Sequence, residues 1–211
     1  MALPIEAALP ALQAALATGT RAVLVAPPGA GKTTRVPLAL LDAPWRDEGR
    51  IVMLEPRRPA ARAAASFMAR SRGEAVGETV GYRVRLDSRV GPRTRIEVVT
   101  EGVFTRMILD DPGLGGIAAV LFDEFHERSL DADLGLALAL DAAALREDLR
   151  IVVMSATIDG AAVAERLGAP VIESHGRAFP VETRYLPPDP ALRIEEQVAR
   201  AVLTALRAET G

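Results

Sequence analysis

Residues 21–34, RAVLVAPPGAGKTT, join a strand pattern to a glycine-rich loop. The first six residues form an almost continuous apolar run, which is typical of a buried parallel strand. The pattern G-x-x-x-x-G-K-[ST] follows, complete except that Ala26 stands at the first glycine position. Loops of this kind turn tightly into a helix and bind anions with successive backbone N–H groups. The stretch therefore predicts a strand, a phosphate-binding loop and a helix.

The residues of this loop have separate predicted roles. Pro27 and Pro28 have no N–H donor, so the cradle must come from residues 29–34, which are Gly29, Ala30, Gly31, Lys32, Thr33 and Thr34. Lys32 would reach the β- and γ-phosphates of a nucleotide, and the Thr33 hydroxyl would hold Mg²⁺. Lys32 is also the only lysine among 25 basic residues, as expected of a site that needs a compact ammonium. A glycine-rich turn without a ligand is the alternative.

Apolar runs of strand length alternate with helical patterns along the chain. The runs cover 21–26, 50–55, 95–100, 117–123 and 150–156, and the helical segments cover 31–41, 58–70, 101–109, 131–146 and about 191–208. This alternation predicts an α/β fold with a mostly parallel central sheet flanked by helices. The segment between residues 81 and 99 predicts two strands around a polar turn, with Arg83 and Arg85 on a solvated face. Ligands of such sheets bind at the carboxyl ends of the strands.

An acidic pair follows the fourth run, in VLFDEFHERS, residues 120–129. In a nucleoside triphosphatase Asp123 would bind Mg²⁺, and Glu124 would act as the base or positioner of the attacking water. A solvated loop is the alternative for an isolated Asp-Glu pair, and His126 beside a helix start is by itself most simply structural.

Composition excludes several classes of site. The chain has 211 residues, no cysteine, two histidines and a formal net charge of -3, which excludes thiolate chemistry and a histidine-rich metal site. No apolar run approaches the roughly 18 residues of a membrane span, and the first residues lack a basic leader. We expect a cytoplasmic protein without a membrane partner.

Five short motifs occur in a fixed order: APPGAGKTT, LEPRR, TEG, DEFH and SAT. In this order and spacing the chain resembles the superfamily 2 helicases, with DEFH as a variant of the DEAH tetrad. The flanks LEPRRPAARAAA and DEFHERSLDADLGLAL resemble the bacterial HrpB-type DEAH-box RNA helicases. The resemblance implies a RecA-like P-loop domain that uses ATP, or another nucleoside triphosphate, with Mg²⁺ to move along or unwind single-stranded RNA.

The resemblance also assigns roles to residues. Residues 29–34 would form motif I, with Lys32 catalytic; Asp123, Glu124 and His126 would form the catalytic motif II. Ser155 and Thr157 would couple the nucleotide site to the nucleic-acid groove through His126. The RNA backbone would be contacted by Arg57, Arg58, Thr100, Glu101 and Gly102. Two positions depart from the family pattern: Phe67 stands where an arginine usually stacks on the nucleobase, and Gln13 lacks the other residues of an adenine-reading motif.

The resemblance predicts a boundary near residue 175. Residues 1–175 would form the first RecA-like domain, and residues 176–211 a linker and the truncated start of a second one. The arginine-rich pattern Q-x-x-G-R-x-G-R, which supplies arginine fingers from that second domain, does not occur in the sequence. We expect this chain to bind Mg²⁺-nucleotide, to hydrolyse it hardly at all and not to unwind RNA alone.

Two other functions stay open from the residues alone. A P-loop kinase or other non-helicase ATPase would share the phosphate loop, although PRR and SAT argue against it. A nucleotide-dependent interaction module would bind nucleotide without RNA-dependent turnover.

Overall fold

A single twisted sheet organises the chain. The computed structural model describes residues 3–156, 160–175 and 182–208. Within these residues eight strands pair in the order β4-β3-β5-β2-β6-β7-β1-β8, and every pairing is parallel except that of β3 with β4. The strands are β1 (Arg21–Val25), β2 (Arg50–Glu55), β3 (Val80–Val84), β4 (Asp87–Arg89), β5 (Ile96–Thr100), β6 (Ile117–Phe122), β7 (Arg150–Ser155) and β8 (Val171–Glu173). The predicted α/β fold with a mostly parallel sheet is confirmed.

Helices cover both faces of this sheet. They are α1 (Leu9–Thr18), α2 (Lys32–Ala39), α3 (Arg58–Ser71), α4 (Glu101–Asp110), α5 (Leu130–Leu145), α6 (Gly160–Leu167) and α7 (Ile194–Ala208), with short 3-10 helices at Pro4–Ala7, Pro44–Arg46 and Phe125–Glu127. Helices α1 to α3 pack on one face, and α4 to α6 pack on the other. Parallel strands need crossover connections, and a helix supplies the one from β1 to β2, from β2 to β3, from β5 to β6, from β6 to β7 and from β7 to β8.

Alternate residues of the central strands enter two separate cores. In β1, for example, Leu24 belongs to the core under α1 to α3, and Val23 belongs to the core under α4 to α6. Both are completely buried. This burial on both faces is the physical reason for the continuous Val, Ile and Leu runs that predicted the strands.

Several details differ from the sequence-based expectations. Helix α6 was not predicted. Strand β3 ends at Val84, so Arg85 lies in the turn beyond it and not on the strand beside Arg83. The short edge strand β8 was not predicted. The last helix begins at Ile194 and not near residue 191.

The chain divides into two compact units, Met1–Arg177 and Ala178–Gly211. The first contains the sheet, and the second contains α7, whose apolar residues Ile194, Val198 and Leu206 are all exposed. Within the second unit the Gln197 side chain accepts a hydrogen bond from the Asp189 backbone N–H at 3.1 Å. The assignment of these residues to a linker and a second RecA-like domain stays a prediction. In the described ranges, none of the helices has the length and apolar character that crossing a membrane requires.

Phe104 and Phe122 form an aromatic pair in the core under α4 to α6. Truncating Phe104 should lower the stability of the fold measurably. Phe104 of α4 is completely buried, and its ring meets that of Phe122 edge to face with centroids 5.9 Å apart. Phe104→Ala should lower the free energy of unfolding by about 3–5 kcal/mol, because it leaves a cavity. Urea denaturation measures this change. Leu109→Ala in the same helix, at an exposed position, is the control and should change stability by less than about 0.5 kcal/mol; equal losses would contradict the assigned core.

Candidate nucleotide site

The predicted motifs meet because five neighbouring parallel strands end at one edge of the sheet. In the order β5, β2, β6, β7 and β1, these strands are followed by TEG, PRR, DEFH, the S-A-T segment and the phosphate loop. Motifs that are far apart in sequence therefore line one edge in adjacent positions. This is the edge at which open α/β sheets bind their ligands.

The phosphate loop has the backbone that its sequence predicts. Gly29 and Gly31 have φ angles of 76° and 95°, in the left-handed region that glycine adopts readily. A Cβ on Gly31 would also lie 2.7 Å from a methyl carbon of Leu3. Helix α2 begins at Lys32, and its first backbone hydrogen bond runs from Arg35 N to Gly31 O. The preceding N–H groups, of residues 32–34, form the N-terminal end that attracts anions.

One of the backbone N–H groups predicted to bind phosphate, that of Ala30, is already hydrogen-bonded within the protein. The Ala30 N–H donates to Pro27 O at 3.2 Å, within the loop itself. The Ala30 carbonyl accepts from Ile5 N, also at 3.2 Å, which fixes the loop to the N-terminal 3-10 helix. Ala30 therefore shapes the loop, and a phosphate contact stays a prediction for the backbone N–H groups of its neighbours.

Two short contacts join the loop to the acidic pair. Lys32 Nζ donates to Glu124 Oε1 at 2.9 Å, and Thr33 Oγ1 donates to Asp123 Oδ2 at 2.5 Å. Lys32 and Asp123 are 3% and 5% exposed, so both charges need a partner. The side chains to which the sequence assigns phosphate, metal and water chemistry therefore lie together: Lys32, Thr33, Asp123 and Glu124.

A third carboxyl group, missed from the sequence, belongs to this cluster. Glu55 ends β2 and is 2% exposed, and its Oε1 has no hydrogen-bond partner among the described residues. Burial, and then the charge of Asp123, raise the pKa of Glu55 to about 9. Burial also raises the pKa of Asp123. The available signal was an acidic residue directly after the apolar run RIVML, a position that a carboxylate occupies at an energetic cost.

The donor atoms fit a magnesium ion that arrives with a nucleotide. Asp123 supplies carboxylate oxygen and Thr33 supplies a hydroxyl, the hard oxygen ligands that Mg²⁺ prefers. In the described part of the chain, no three His, Cys, Asp or Glu residues are grouped so that they could hold a metal ion. Since Mg²⁺ commonly keeps waters and binds substrate phosphates, one or two protein ligands are sufficient.

Motif II also touches the segment after β7. His126 Nδ1 accepts a hydrogen bond from Ala156 N at 3.2 Å and lies 3.4 Å from Glu124 Oε2. Ser155 is buried, and its carbonyl accepts from Ala26 N at 3.0 Å beside the phosphate loop. Thr157, the other predicted coupling residue, lies outside the described residues.

The predicted nucleic-acid residues lie at two adjacent helix N-termini. Arg57 and Arg58 are exposed at the start of α3, and Thr100 to Gly102 begin α4. The two starts are neighbours because Glu55 and Thr100 are paired across β2 and β5. Glu101, however, accepts a 2.6 Å hydrogen bond from Ser129 Oγ. Its carboxylate is engaged within the protein and would repel a phosphate, so the α4 backbone is the better candidate for that contact.

A cavity of about 690 Å³ adjoins this surface. Its lining includes Arg83 and Arg85, which the sequence analysis assigned to a solvated face. The cavity is lined by Arg83, Val84, Arg85, Thr100, Gly102, Val103, Arg106, Met107 and Asp110. Arg83 Nε lies 2.8 Å from Oε1 of Glu97, which is completely buried and also accepts a hydrogen bond from Arg50 at 2.7 Å. The charge of this buried carboxylate attracts the Arg83 guanidinium at the cavity wall.

A second cavity, of about 480 Å³, lies between the phosphate loop and α3. It is lined by Thr33, Thr34, Glu55, Pro56, Arg57, Ala60, Ala63, Ala64, Phe67, Glu124 and Glu127. Phe67 is 52% exposed, which leaves its ring available to a flat ligand. Gln13 instead donates to Ala39 O at 2.8 Å on the surface between α1 and α2.

The raised pKa of Glu55 predicts a pH-dependent stability. An ordinary glutamate in the unfolded chain titrates near 4.3, whereas the folded pKa is about 9. Between these two pKa values the folded chain holds a proton that the unfolded chain releases. The contribution of Glu55 to the free energy of unfolding is therefore complete below the unfolded-state pKa, and it is lost as pH rises through the folded-state pKa. Between about pH 6 and pH 9 the free energy of unfolding should fall by up to about 1 kcal/mol per pH unit.

Glu55→Gln tests this dependence because glutamine keeps the shape and cannot ionise. Urea denaturation across that range should give the variant a flatter profile than the wild type. Glu147→Gln, at an exposed position, should keep the wild-type slope. Parallel profiles for all three proteins would show that Glu55 is ionised in the folded state.

Comparisons with known proteins agree with this geometry. The sequence model of the family described as "DEAD/DEAH box helicase" matches residues 6–165. The chain is 52% identical over 211 residues to the ATP-dependent RNA helicase HrpB of Escherichia coli, covering 99% of this chain and 26% of that protein. It is 35% identical over 167 residues to the ATP-dependent RNA helicase HrpA of Borreliella burgdorferi, covering 79% of this chain and 20% of that protein.

A solved structure gives the same result. The crystal structure of the Escherichia coli DEAH/RHA helicase HrpB superposes with a TM-score of 0.92 and covers 99% of this chain and 27% of that one. The chain thus spans about a quarter of the length of these relatives. With a P-loop and a DEFH motif joined at one sheet edge and a RecA-like sheet that matches HrpB, the chain belongs to the DEAD/DEAH box helicase family.

Proposed function

We propose that this chain is a nucleotide-binding motor domain of a DEAH-box RNA helicase, which binds ATP or another nucleoside triphosphate with Mg²⁺ and contacts single-stranded RNA. The observation that carries the proposal is the convergence of Lys32 and Thr33 with Asp123 and Glu124. It is supported by similarity to proteins named as ATP-dependent RNA helicases. Activity in the cytoplasm is part of the same proposal.

Each residue of the cluster has a distinct task when a nucleotide binds. The β- and γ-phosphates would compete with Glu124 for the Lys32 ammonium, since both are anions within reach of one donor. Glu124, relieved of that ion pair, would accept a proton from the attacking water or orient it. Mg²⁺ held by Asp123 and Thr33 would neutralise phosphate charge. The N–H groups at the start of α2 would stabilise the phosphate oxygens.

The base of the nucleotide would lie against Phe67. The cavity that contains this ring begins at Thr33 and Thr34, so a nucleotide whose phosphates occupy the loop can extend into it. A phenyl ring stacks on any nucleobase and offers no hydrogen bond to tell one from another. We therefore infer weak discrimination among ATP, GTP and the other triphosphates.

RNA would cross the starts of α3 and α4. Arg57 and Arg58 are exposed there, and Arg83, Arg85 and Arg106 line the adjoining cavity. Arginines and helix N-termini position a phosphate backbone without reading its bases. Ser155, Thr157 and His126 would link this surface to the nucleotide site.

Hydrolysis would need a second RecA-like domain in cis. The sequence contains no Q-x-x-G-R-x-G-R pattern, and arginine fingers contribute about 10³–10⁵ in rate in related triphosphatases. We propose that residues 1–175 form the first domain and that residues 176–211 lead into the second. This chain alone should bind nucleotide and turn it over hardly at all.

Nucleotide binding should depend on Lys32. Lys32→Ala removes charge-assisted hydrogen bonds to phosphate, and Mg²⁺-ATP affinity should fall about 10- to 100-fold. Lys32→Arg should also bind weakly, because a planar guanidinium cannot take the place of a compact ammonium. Isothermal titration calorimetry measures both. Arg35→Ala, in the same helix but paired with Glu6 on the surface, is the control; equal affinities for all four proteins would rule out the phosphate loop as the site.

RNA binding should lose one phosphate contact in Arg57→Ala. Affinity for a labelled single-stranded RNA should fall about 2- to 5-fold, as expected for an exposed ion pair. The slope of log affinity against log salt should decrease by about 0.7. Fluorescence anisotropy from about 50 to 200 mM salt measures both quantities. Arg70→Ala, exposed at the other end of α3, should keep the wild-type slope, and an unchanged slope in Arg57→Ala would remove Arg57 from the interface.

A further inference from the structure

The turn that follows Asp123 contacts every other motif at the sheet edge. We call residues 124–129 the EFHERS turn. It consists of the 3-10 helix Phe125–Glu127, bracketed by Glu124 and Arg128. These two residues have φ angles of 50° and 53°, in a region that residues other than glycine adopt at an energetic cost.

One buried ring holds this strained turn in place. Phe125 is 5% exposed, and its ring meets Phe122 edge to face with centroids 6.3 Å apart. The Arg128 guanidinium lies over the same ring, 5.8 Å from its centroid. The polar side chains of the turn are thereby directed away from the core and toward its neighbours.

Four side chains of the turn reach four different elements. Glu124 binds Lys32 of the phosphate loop, and His126 accepts from Ala156 after β7. These two contacts belong to the function proposed above. The remaining two, from Glu127 and Ser129, reach Arg57 and Glu101 on the nucleic-acid side.

Glu127 orients Arg57 without using all its donors. Arg57 Nη2 donates to both carboxylate oxygens of Glu127, at 3.1 and 3.0 Å. The Arg57 side chain is 70% exposed. A guanidinium has five N–H donors, so Nε and Nη1 can still bind a phosphate while Nη2 stays on Glu127.

Ser129 connects the turn to the start of α4. Its hydroxyl donates to Glu101 Oε2 at 2.6 Å and accepts from Ala132 N at 2.9 Å, where it caps α5. A shift of the turn therefore moves the N-termini of both α4 and α5. The first of these is the anion-binding end proposed for RNA.

We propose that Glu127 and Ser129 are positioning residues that transmit occupancy of the nucleotide site to the nucleic-acid surface, an inference that rests on the function proposed above. Phosphates that take Lys32 from Glu124 change the partner of the first residue of the turn. Because Glu127 N donates to Glu124 O at 2.8 Å within this single 3-10 turn, the change reaches Arg57 through Glu127 and α4 through Ser129. Nucleotide and RNA affinities then depend on one another.

The test measures this coupling in the present chain. Anisotropy of a labelled single-stranded oligouridylate gives the RNA dissociation constant with and without Mg²⁺ and a non-hydrolysable ATP analogue. The two constants should differ about fivefold or more in the wild type. In Glu127→Ala the ratio should fall to about 1 at a nucleotide concentration that saturates the variant. That concentration is set from the variant's own nucleotide titration, because Glu127 also lines the cavity proposed for the base.

Matched variants separate positioning from general effects on charge and folding. Glu78→Ala removes the same charge and a surface ion pair, with Arg93, and should keep the wild-type ratio. Ser129→Ala should lower the ratio, and Ser129→Thr, which keeps the hydroxyl, should restore it. Ser129→Asp keeps a cap for α5 but places a carboxylate against Glu101; it should lower the ratio even though the helix remains capped.

The outcomes are distinguishable. A wild-type chain that binds both ligands with a ratio of 1, or Glu127 and Ser129 variants that keep the wild-type ratio, would overturn this inference and leave the proposed function standing. A wild-type chain that binds neither nucleotide nor RNA would overturn the proposed function, and the inference with it.

Discussion

The site depends on the need of one buried ammonium for a partner. Lys32 begins α2, is 3% exposed and donates to Glu124 at 2.9 Å. An unpaired charge at this depth would be strongly unfavourable, so the pair fixes the start of α2 against the end of β6. The adjacent bond from Thr33 to Asp123 has the same effect. Both contacts exist only because β1 and β6, separated by β7 in the sheet, end at the same edge. A triphosphate would offer Lys32 a second anion, so the proposed function requires that the contact between Lys32 and Glu124 be exchangeable.

Acidic groups are crowded at this edge, and the crowding explains the electrostatics. Glu55, Asp123 and Glu124 follow or end two neighbouring strands, β2 and β6, with Lys32 as their nearest positive charge. Burial raises the pKa of Glu55 and of Asp123. The Mg²⁺ ion of a magnesium nucleotide would supply positive charge beside these carboxylates, whereas the nucleotide without its metal would bring only further negative charge. On the other side of β2, the surface is basic, with Arg57, Arg83 and Arg85. The EFHERS turn connects the acidic cluster to this basic surface, because Glu124 contacts Lys32 and Glu127 contacts Arg57.

The sequence predicts the fold well because its signals are local. Parallel strands buried on both faces read as continuous Val, Ile and Leu runs, and the glycines of the phosphate loop follow one of them directly. The three-residue strand β8 has one buried position, too little to form a pattern. Contacts between distant residues were also beyond reach. Glu127 with Arg57 and Ser129 with Glu101 join positions 70 and 28 residues apart, and no spacing rule selects those partners. Glu55 looks like a strand-end surface residue until the sheet places it beside Asp123.

The central claim is that this chain holds the binding half of a split triphosphatase site, and steady-state ATP hydrolysis tests it most directly. Hydrolysis is measured with Mg²⁺, with and without single-stranded RNA, beside Lys32→Ala. Because Lys32, Thr33, Asp123 and Glu124 bind and orient but no arginine finger is expected, the wild-type rate should remain close to that of Lys32→Ala under both conditions. Sustained turnover by the wild type, above that variant and stimulated by RNA, would show that the active site is complete within these 211 residues and would contradict the account.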